Sequence, residues 1–581
     1  MTIRATHFDP KVLLSAPRRS AGVPSASGQH VLFTSSSYSF ETHSKSNEFR
    51  LLDTRSGEST VLSQQAVDAV NWLGDDEFAW LQSGEEGSTE VWVGSLRGVG
   101  SKQGSDGGSY VAGRIAAPVG NLKVAKLGGG DEFAVVLSAL AGADGELFNP
   151  EKAAKTQSTG RLYTGLYVRH WDAWRGRERN ALWYGTLARE NGGKYQLSKL
   201  TNALKGTRLE SPIEPFGGTD HFDVSERGVV FVSKDPELDP ALNTKCNVYL
   251  LNVKSWTQSS KEKPKQIVIE EFEGASTSPV FSPDARQVAF LSMRRNGYES
   301  DQNRIFVVGD LEAAELRASC EHGVVAAQAG WDRSPSAISW TVDGRALLAT
   351  AEDVGRARLF MIQSGQKAPF PLTEDGSVGD VVPLGEPGKI FYTGSSLIDN
   401  SVFAIIQVSD EQADVSVSTL WTHSNSGHGS KFGLKSKQVS SIWTPASNPK
   451  VTKEVHSWVV RPSNFDDSKK YPVAYLIHGG PQGAWGDSWS TRWNPAVFAE
   501  QGFIVVTPNI TGSTGYGQDF TDAINKNWGG DPLGDIENAF EWVGKHLPEA
   551  DNDQAVALGA SYGGYMMNCK FYSCTHAIFI Y

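Results

Sequence analysis

From about residue 15 to 430 the chain is built of short apolar runs broken by Gly, Pro, Asp and Ser, and few stretches there carry the three-to-four spacing of a helix. The pattern predicts an all-β region. Within it a unit recurs: an apolar stretch, a Ser/Thr-x-Asp turn, then a second apolar run. Pro279-Val280-Phe281-Ser282-Pro283-Asp284 followed by Val288-Ala289-Phe290-Leu291 returns 59 residues later as Ile338-Ser339-Trp340-Thr341-Val342-Asp343-Gly344 followed by Ala346-Leu347-Leu348-Ala349. Looser copies run from Phe222 to Val232 and from Pro24 to Phe33. Each copy leads, after a loop, to another strand pair such as Arg304 to Val308 or Arg358 to Ile362. A repeated unit of about four strands predicts the blades of a β-propeller over 15–440, since one blade cannot bury both faces and must stack on its neighbours. A stack of β-sandwiches is the alternative, and recurrence of one turn chemistry favours the ring. Low-complexity stretches at 98–108 and 422–438 read as a surface loop and as the end of the propeller.

The pattern changes after about residue 455. Val473 to Ile477 and Phe503 to Thr507 are continuous apolar runs suited to strands buried on both faces. Ile536, Ala539, Phe540, Val543 and Leu547 fall at helical steps, with Asp535 as candidate cap and Lys545 and Pro548 at the far end. Ala555-Val556-Ala557-Leu558 predicts a further strand. Strand, helix, strand in this order predicts a mainly parallel sheet.

That last strand runs into Gly559-Ala560-Ser561-Tyr562-Gly563-Gly564, a G-x-S-x-G. In the turn such a sequence makes, the serine is pushed out over the sheet and side chains two residues to either side collide with strand and helix. Ser561 is therefore the candidate nucleophile. Upstream, His478-Gly479-Gly480-Pro481 follows the strand ending at Ile477. A glycine loop there can aim a backbone N–H at the serine, and the residue after the serine supplies another, so Gly480 and Tyr562 are candidate oxyanion donors. His478 precedes the serine, whereas a hydrolase base follows it, so His478 is read as structural.

Composition narrows the partners. The 581 residues exceed one ordinary domain, and 39% hydrophobic residues with 17 Trp and 26 Phe fill large cores. The net charge of −12 comes with scattered basic residues, which excludes nucleic acid as an expected partner. Residues 1–14 hold no apolar run of signal-peptide length, and no stretch reaches the roughly 20 apolar residues of a membrane span. A cytoplasmic protein without membrane contact is expected. Four cysteines make no disulfide framework, and Cys569, Cys574 and His576 lack the further ligand a zinc site wants, so no metal and no cofactor are expected.

With these motifs in hand, the chain resembles the prolyl oligopeptidase family of serine peptidases, in its acylaminoacyl-peptidase-like branch. The resemblance rests on Ala16 to Ser20, Tyr167 to Asp172, Trp331 to Pro335, His478 to Gly483, Trp489 to Pro495, Thr511 to Gly517, Asn527 to Gly530 and the Ser561 turn, and it runs from about residue 12 to Asn568. It implies a propeller capping an α/β-hydrolase domain, which here spans 441–568. It implies short or unfolded peptides as substrates, and release of dipeptides from free N-termini. It implies that Ser561 attacks the scissile carbonyl while a histidine takes its proton and an aspartate orients the histidine.

The family order is Ser, then acid, then His. After Ser561 the sequence has no Asp or Glu, and its histidine is His576. Acid and base are thus expected to be absent, with only the N-terminal half of the hydrolase domain present and 569–581 an aberrant tail. The expected consequences are negligible turnover, a nucleophile strand left as an unpaired edge and one sheet face under-covered. The alternative in function is a non-catalytic propeller interaction protein with a vestigial hydrolase domain; an esterase or lipase fits the long propeller less well. Glu299 and Asp301, in a loop between two propeller strands, are candidates to pair with a peptide ammonium group, although acids in such loops are often simply solvated.

Overall fold

The computed structural model describes residues 7–98, 108–154, 157–190, 193–411, 414–573 and 579–580. Seven of its sheets are the blades of a β-propeller, covering residues 18–63, 68–115, 120–202, 222–268 with Leu316–Arg317 added in parallel at its outer edge, 276–308, 335–371 and 377–424. The first strands of successive blades touch one another and so form the inner ring. The repeated turns do the same chemistry in adjacent blades. Ser282 donates to Asp284 at 2.6 Å and accepts from the Gln287 N–H, and Thr341 donates to Asp343 at 2.7 Å and accepts from the Ala346 N–H. Neighbouring blades are stitched by bonds such as Phe281 N–H to Asp223 at 2.9 Å. Among the described residues no strand is exchanged to close the ring. Val31, Phe33 and Leu52 of the first blade pack instead against Leu384, Phe391, Phe403 and Ile405 of the last.

The second domain is a six-stranded sheet of β1 (Val439–Pro445), β2 (Glu454–Val460), β3 (Tyr471–Ile477), β4 (Ile504–Pro508), β5 (Ala550–Gly559) and β6 (Phe579–Ile580), in the order β1-β2-β4-β3-β5-β6. β1 and β2 are antiparallel and the other four run parallel. The alternation along β3 serves two cores. Val473, Tyr475 and Ile477 face one, with Ile536 and Val543 of a helix from Asp531 to His546; Ala474 and Leu476 face the other, with Ala496 and Ala499 of a helix from Pro495 to Glu500.

Two expectations are corrected here and one is qualified. The first concerns the sheet face expected to be under-covered, which is partly covered by a segment preceding the propeller while Val556 and Leu558 of β5 stay half-buried. A helix α1 (Pro10–Ser15), capped by the Asp9 carboxylate with Pro10 at its start, brings Phe8 and Leu13 onto that face. The Phe8 ring packs at a tilt against Phe432 and Trp489, with centroids 5.6 Å and 5.5 Å away. The second concerns β5, which is not an unpaired edge: Val556 and Ala557 pair in parallel with Phe579 and Ile580 of β6. The helix after Ser561 also runs unbroken from Tyr562 to Ser573, so regular structure continues past Asn568. Third, Asp535 caps no helix. The helix begins at Asp531, where Pro532 in its first turn has no N–H to lose. The fully buried Asp535 carboxylate instead accepts from Ser447 N–H at 2.8 Å, Thr511 N–H at 2.8 Å and the Thr511 hydroxyl at 2.6 Å. Among the described residues no helix is long and apolar enough to cross a membrane, and no cluster of three or more His, Cys, Asp or Glu is placed to hold a metal. Cys574 and His576 lie outside the described residues.

Candidate active site

β5 lies beside β3 with Gly559 in register with Ile477, so the loops leaving both strands open at the same point. Ser561 sits in the turn between β5 and the helix α2 (Tyr562–Ser573), exposed, with φ of +56°. For a residue with a Cβ that conformation is strained, and it survives because packing over-determines it. Both flanking glycines are sterically required. A Cβ on Gly559 would stand 2.5 Å from the Gly563 carbonyl carbon, and one on Gly563 would enter the van der Waals sphere of the Ile477 carbonyl oxygen.

The loop after β3 comes close to the serine. A Cβ on Gly479 would lie 3.5 Å from the Ser561 Cβ and 4.0 Å from its Oγ. Gly480 has φ of +121° and precedes Pro481 through a cis peptide. Among the described residues, neither the Gly480 nor the Tyr562 N–H donates to another protein group. The Ser561 hydroxyl likewise has no hydrogen-bond partner there. His478 does not face the serine. Its ring is buried, with Nδ1 at 2.7 Å from the Gly479 carbonyl and Nε2 at 2.9 Å from the Ser513 hydroxyl, and burial lowers its pKa, so it holds the loop as a neutral imidazole.

Several of the stretches that carry the resemblance acquire roles their sequences do not announce. Tyr562 is buried under the turn and donates its hydroxyl to the Trp528 carbonyl at 2.7 Å, so Asn527 to Gly530 props the start of α2 from below. Asn509, at the end of β4, accepts from the Trp485 N–H at 2.7 Å and donates to the Trp485 carbonyl at 3.1 Å, pinning the glycine loop's continuation. The Asn509 amide also reaches the Tyr516 hydroxyl at 2.7 Å, which in turn meets His456 Nδ1 at 2.7 Å. Burial lowers the His456 pKa to about 4.

The propeller docks over this end of the sheet. Val354 N–H donates to the Gly515 carbonyl at 3.0 Å, Asp487 N–H to the Gly355 carbonyl at 2.8 Å, and Gln518 N–H to Asp332 at 2.9 Å. Arg295 bridges Asp301 at 2.6 Å and Asp522 at 2.9 Å. The two acids singled out from the sequence therefore stand differently. Asp301 is buried, its carboxylate occupied by the Arg295 guanidinium and N–H, whereas Glu299 is exposed at the edge of a cavity that also takes in Gln482 and Thr514.

Comparison with known proteins identifies this arrangement. Residues 489–574 match the prolyl oligopeptidase family, a match that extends past Asn568. The chain is 36% identical over 576 residues to the dipeptidyl-peptidase 5 of Trichophyton schoenleinii, spanning 97% of this chain and 75% of that protein. The chain belongs to the prolyl oligopeptidase family. Among solved structures it is similar to an acylaminoacyl peptidase in complex with Z-Gly-Gly-Phe-chloromethyl ketone, with a TM-score of 0.69 at 13% identity over 98% of this chain and 78% of that one. It is also similar to the Pyrococcus horikoshii acylaminoacyl peptidase, with a TM-score of 0.67 at 12% identity over 98% and 78% of the two chains. The family is one of serine peptidases, and the propeller with an α/β-hydrolase domain is its fold.

Proposed function

We propose that this family member releases dipeptides from the free N-termini of short or unfolded peptides, with Ser561 as nucleophile. The observation that carries the reading is the exposed Ser561 hydroxyl on its strained turn, flanked by two backbone N–H groups without protein partners among the described residues. The name of the dipeptidyl-peptidase 5 relative supports the product size. Ser561 Oγ adds to the scissile carbonyl carbon, and the Gly480 and Tyr562 N–H groups hold the resulting oxyanion. Collapse expels the peptide amine and leaves the dipeptide as an ester on Ser561, which water then hydrolyses.

This chemistry needs a histidine to take the hydroxyl proton and a carboxylate to orient it. His478 is turned to Gly479 and Ser513, and no described side chain hydrogen-bonds Ser561. We propose that residues 1–581 by themselves bind peptide and present the oxyanion donors with little turnover, since loss of a triad base costs on the order of 10⁶ in rate in a well-studied case. A fluorophosphonate probe with peptide mapping, beside a chromogenic dipeptidyl substrate, tests both statements. Slow adduct formation confined to Ser561, absent in Ser561→Ala, is expected. Adducts elsewhere but none on Ser561 would overturn its role, and rapid dipeptide release by residues 1–581 would overturn the low turnover.

A further inference from the structure

The hairpin between the second and third strands of the sixth blade, Ala346–Glu352 and Ala357–Gln363, turns through Val354 and Gly355, with φ of +49° and +68°. Two positive φ values suit a two-residue hairpin, but the first position favours Asn, Asp or Gly, and a β-branched residue there is strained. Such strain survives where surrounding contacts over-determine it. Here the contacts come from the other domain: Val354 N–H donates to the Gly515 carbonyl at 3.0 Å, and the Gly355 carbonyl accepts from Asp487 N–H at 2.8 Å. We propose that this turn is a positioning element for the loop after β3, so that the docked sixth blade aims the Gly480 N–H at Ser561. The proposal rests on the peptidase reading above for the role of Gly480 as an oxyanion donor.

Gly479 and Gly480 have no side chains with which to fix themselves, so the direction of the Gly480 N–H is set by the anchors on either side. Both bonds of the turn lead to those anchors. Through Gly515 the turn holds Ser513, whose hydroxyl lies 2.9 Å from His478 Nε2, and Thr514, whose N–H donates to the Gly483 carbonyl at 3.2 Å. Through Asp487 it holds the far end of the loop. Other propeller groups grip the same residue, since the Asp487 carboxylate accepts from Gly376 N–H at 3.1 Å and Leu397 N–H at 2.9 Å.

Packing makes a third connection. A Cβ on Gly355 would stand 2.8 Å from Trp458 Nε1 and 3.1 Å from His456 Cε1. Trp458 Nε1 also donates to the Trp485 carbonyl at 3.1 Å, the carbonyl that Asn509 holds as well, and the Trp485 indole donates to the Leu476 carbonyl of β3 at 2.9 Å. One indole nitrogen thus bounds the propeller turn on one side and fixes the oxyanion loop on the other. Arg356 lies over the Trp458 ring at 4.8 Å and closes it from the propeller side. Gly355 and Trp458 are accordingly positioning residues, acting through the loop rather than on the reacting atoms.

Gly355→Ala tests the coupling on the full chain, with Gly365→Ala as control. Gly365 has φ of +87° and a Cβ there would meet nothing within 4 Å, so the control takes on left-handed strain in the same blade without touching the hydrolase domain. Two quantities are measured: hydrogen–deuterium exchange over residues 479–487, and saturation kinetics of fluorophosphonate labelling at Ser561, in which the phosphoryl oxygen takes the oxyanion position. In Gly355→Ala exchange is expected to rise over 479–487, and the maximal labelling rate to fall roughly tenfold at an unchanged half-saturating concentration, short of the ~10² to 10³ for losing a donor outright. Gly365→Ala should match the unsubstituted chain in both. Trp458→Phe, which deletes the shared donor, should act as Gly355→Ala does, and it decides by the same criteria if Gly355→Ala does not fold. Unchanged exchange and maximal rate, equal changes in Gly365→Ala, or a change confined to the half-saturating concentration overturns the coupling. An unsubstituted chain that never labels at Ser561 sinks the peptidase reading alone, because exchange still decides whether the turn holds the loop.

Discussion

Gly559 and Gly563 stand face to face across the serine turn, so close that a Cβ on the first would lie 2.5 Å from the carbonyl carbon of the second. The turn is therefore specified by absence of side chains on both of its arms. Gly563→Ala and Gly559→Ala are each expected to destabilise the hydrolase domain by roughly 1 to 3 kcal/mol, the usual range for forcing atoms into a packed site. Both should abolish fluorophosphonate labelling of Ser561. Labelling at the unsubstituted rate in either variant would show that the turn can relax without losing its reactivity.

The Asp535 carboxylate ties the loop after β4 to the segment following β1, with three donors converging on one buried anion. Asp535→Ala leaves those donors without acceptors in a dry site. A loss of about 3 kcal/mol is expected in urea denaturation, from a penalty of roughly 1 to 3 kcal/mol for each unsatisfied buried group, partly relieved by water. Asp535→Asn, which keeps one acceptor oxygen, should lose less.

Stability is expected to fall on mild acidification. Burial holds the His456 pKa near 4, below the ordinary value of 6.5, so the unfolded chain takes up its proton first. Stability from this group is complete above pH 6.5, is lost as the pH falls from 6.5 towards 4, and changes no further below that. The loss amounts to about 3 kcal/mol, because each tenfold difference in proton affinity between the folded and unfolded chain is worth ~1.4 kcal/mol. His478 acts in the same direction. Thermal denaturation across this range should show a shallower slope in His456→Gln than in the unsubstituted chain, and identical slopes would place the proton uptake elsewhere.

The turns of the fifth and sixth blades share their hydrogen bonds yet differ at one residue, Ala285 with φ of +55° and Gly344 with φ of +68°. A left-handed conformation costs an L-residue roughly 1 to 2 kcal/mol. Gly344→Ala is accordingly expected to destabilise the propeller by about 1 kcal/mol, measured by denaturant midpoint. An unchanged midpoint would indicate that the turn's serine or threonine bonds, rather than glycine, set its shape.

The propeller is legible in the sequence because its turns repeat, and the serine turn because only glycine fits beside it. Asp535 misleads for a physical reason: an Asp before an apolar helical stretch is the usual sign of a cap, and nothing local says that Thr511 and Ser447, far away in sequence, compete for its oxygens. The true start carries a weaker sign in Pro532. Asp9-Pro10 has the same sign, but a helix of six residues shows too little periodicity to stand out.

Phe8 rests against Phe432 and Trp489, residues made more than four hundred positions later. A chain emerging from the ribosome thus carries this apolar anchor through the whole synthesis of the propeller with nowhere to place it. The seven blades have local partners and can close early, whereas the hydrolase sheet waits for segments that flank the propeller on both sides in sequence. A segment made before the propeller settles only after it.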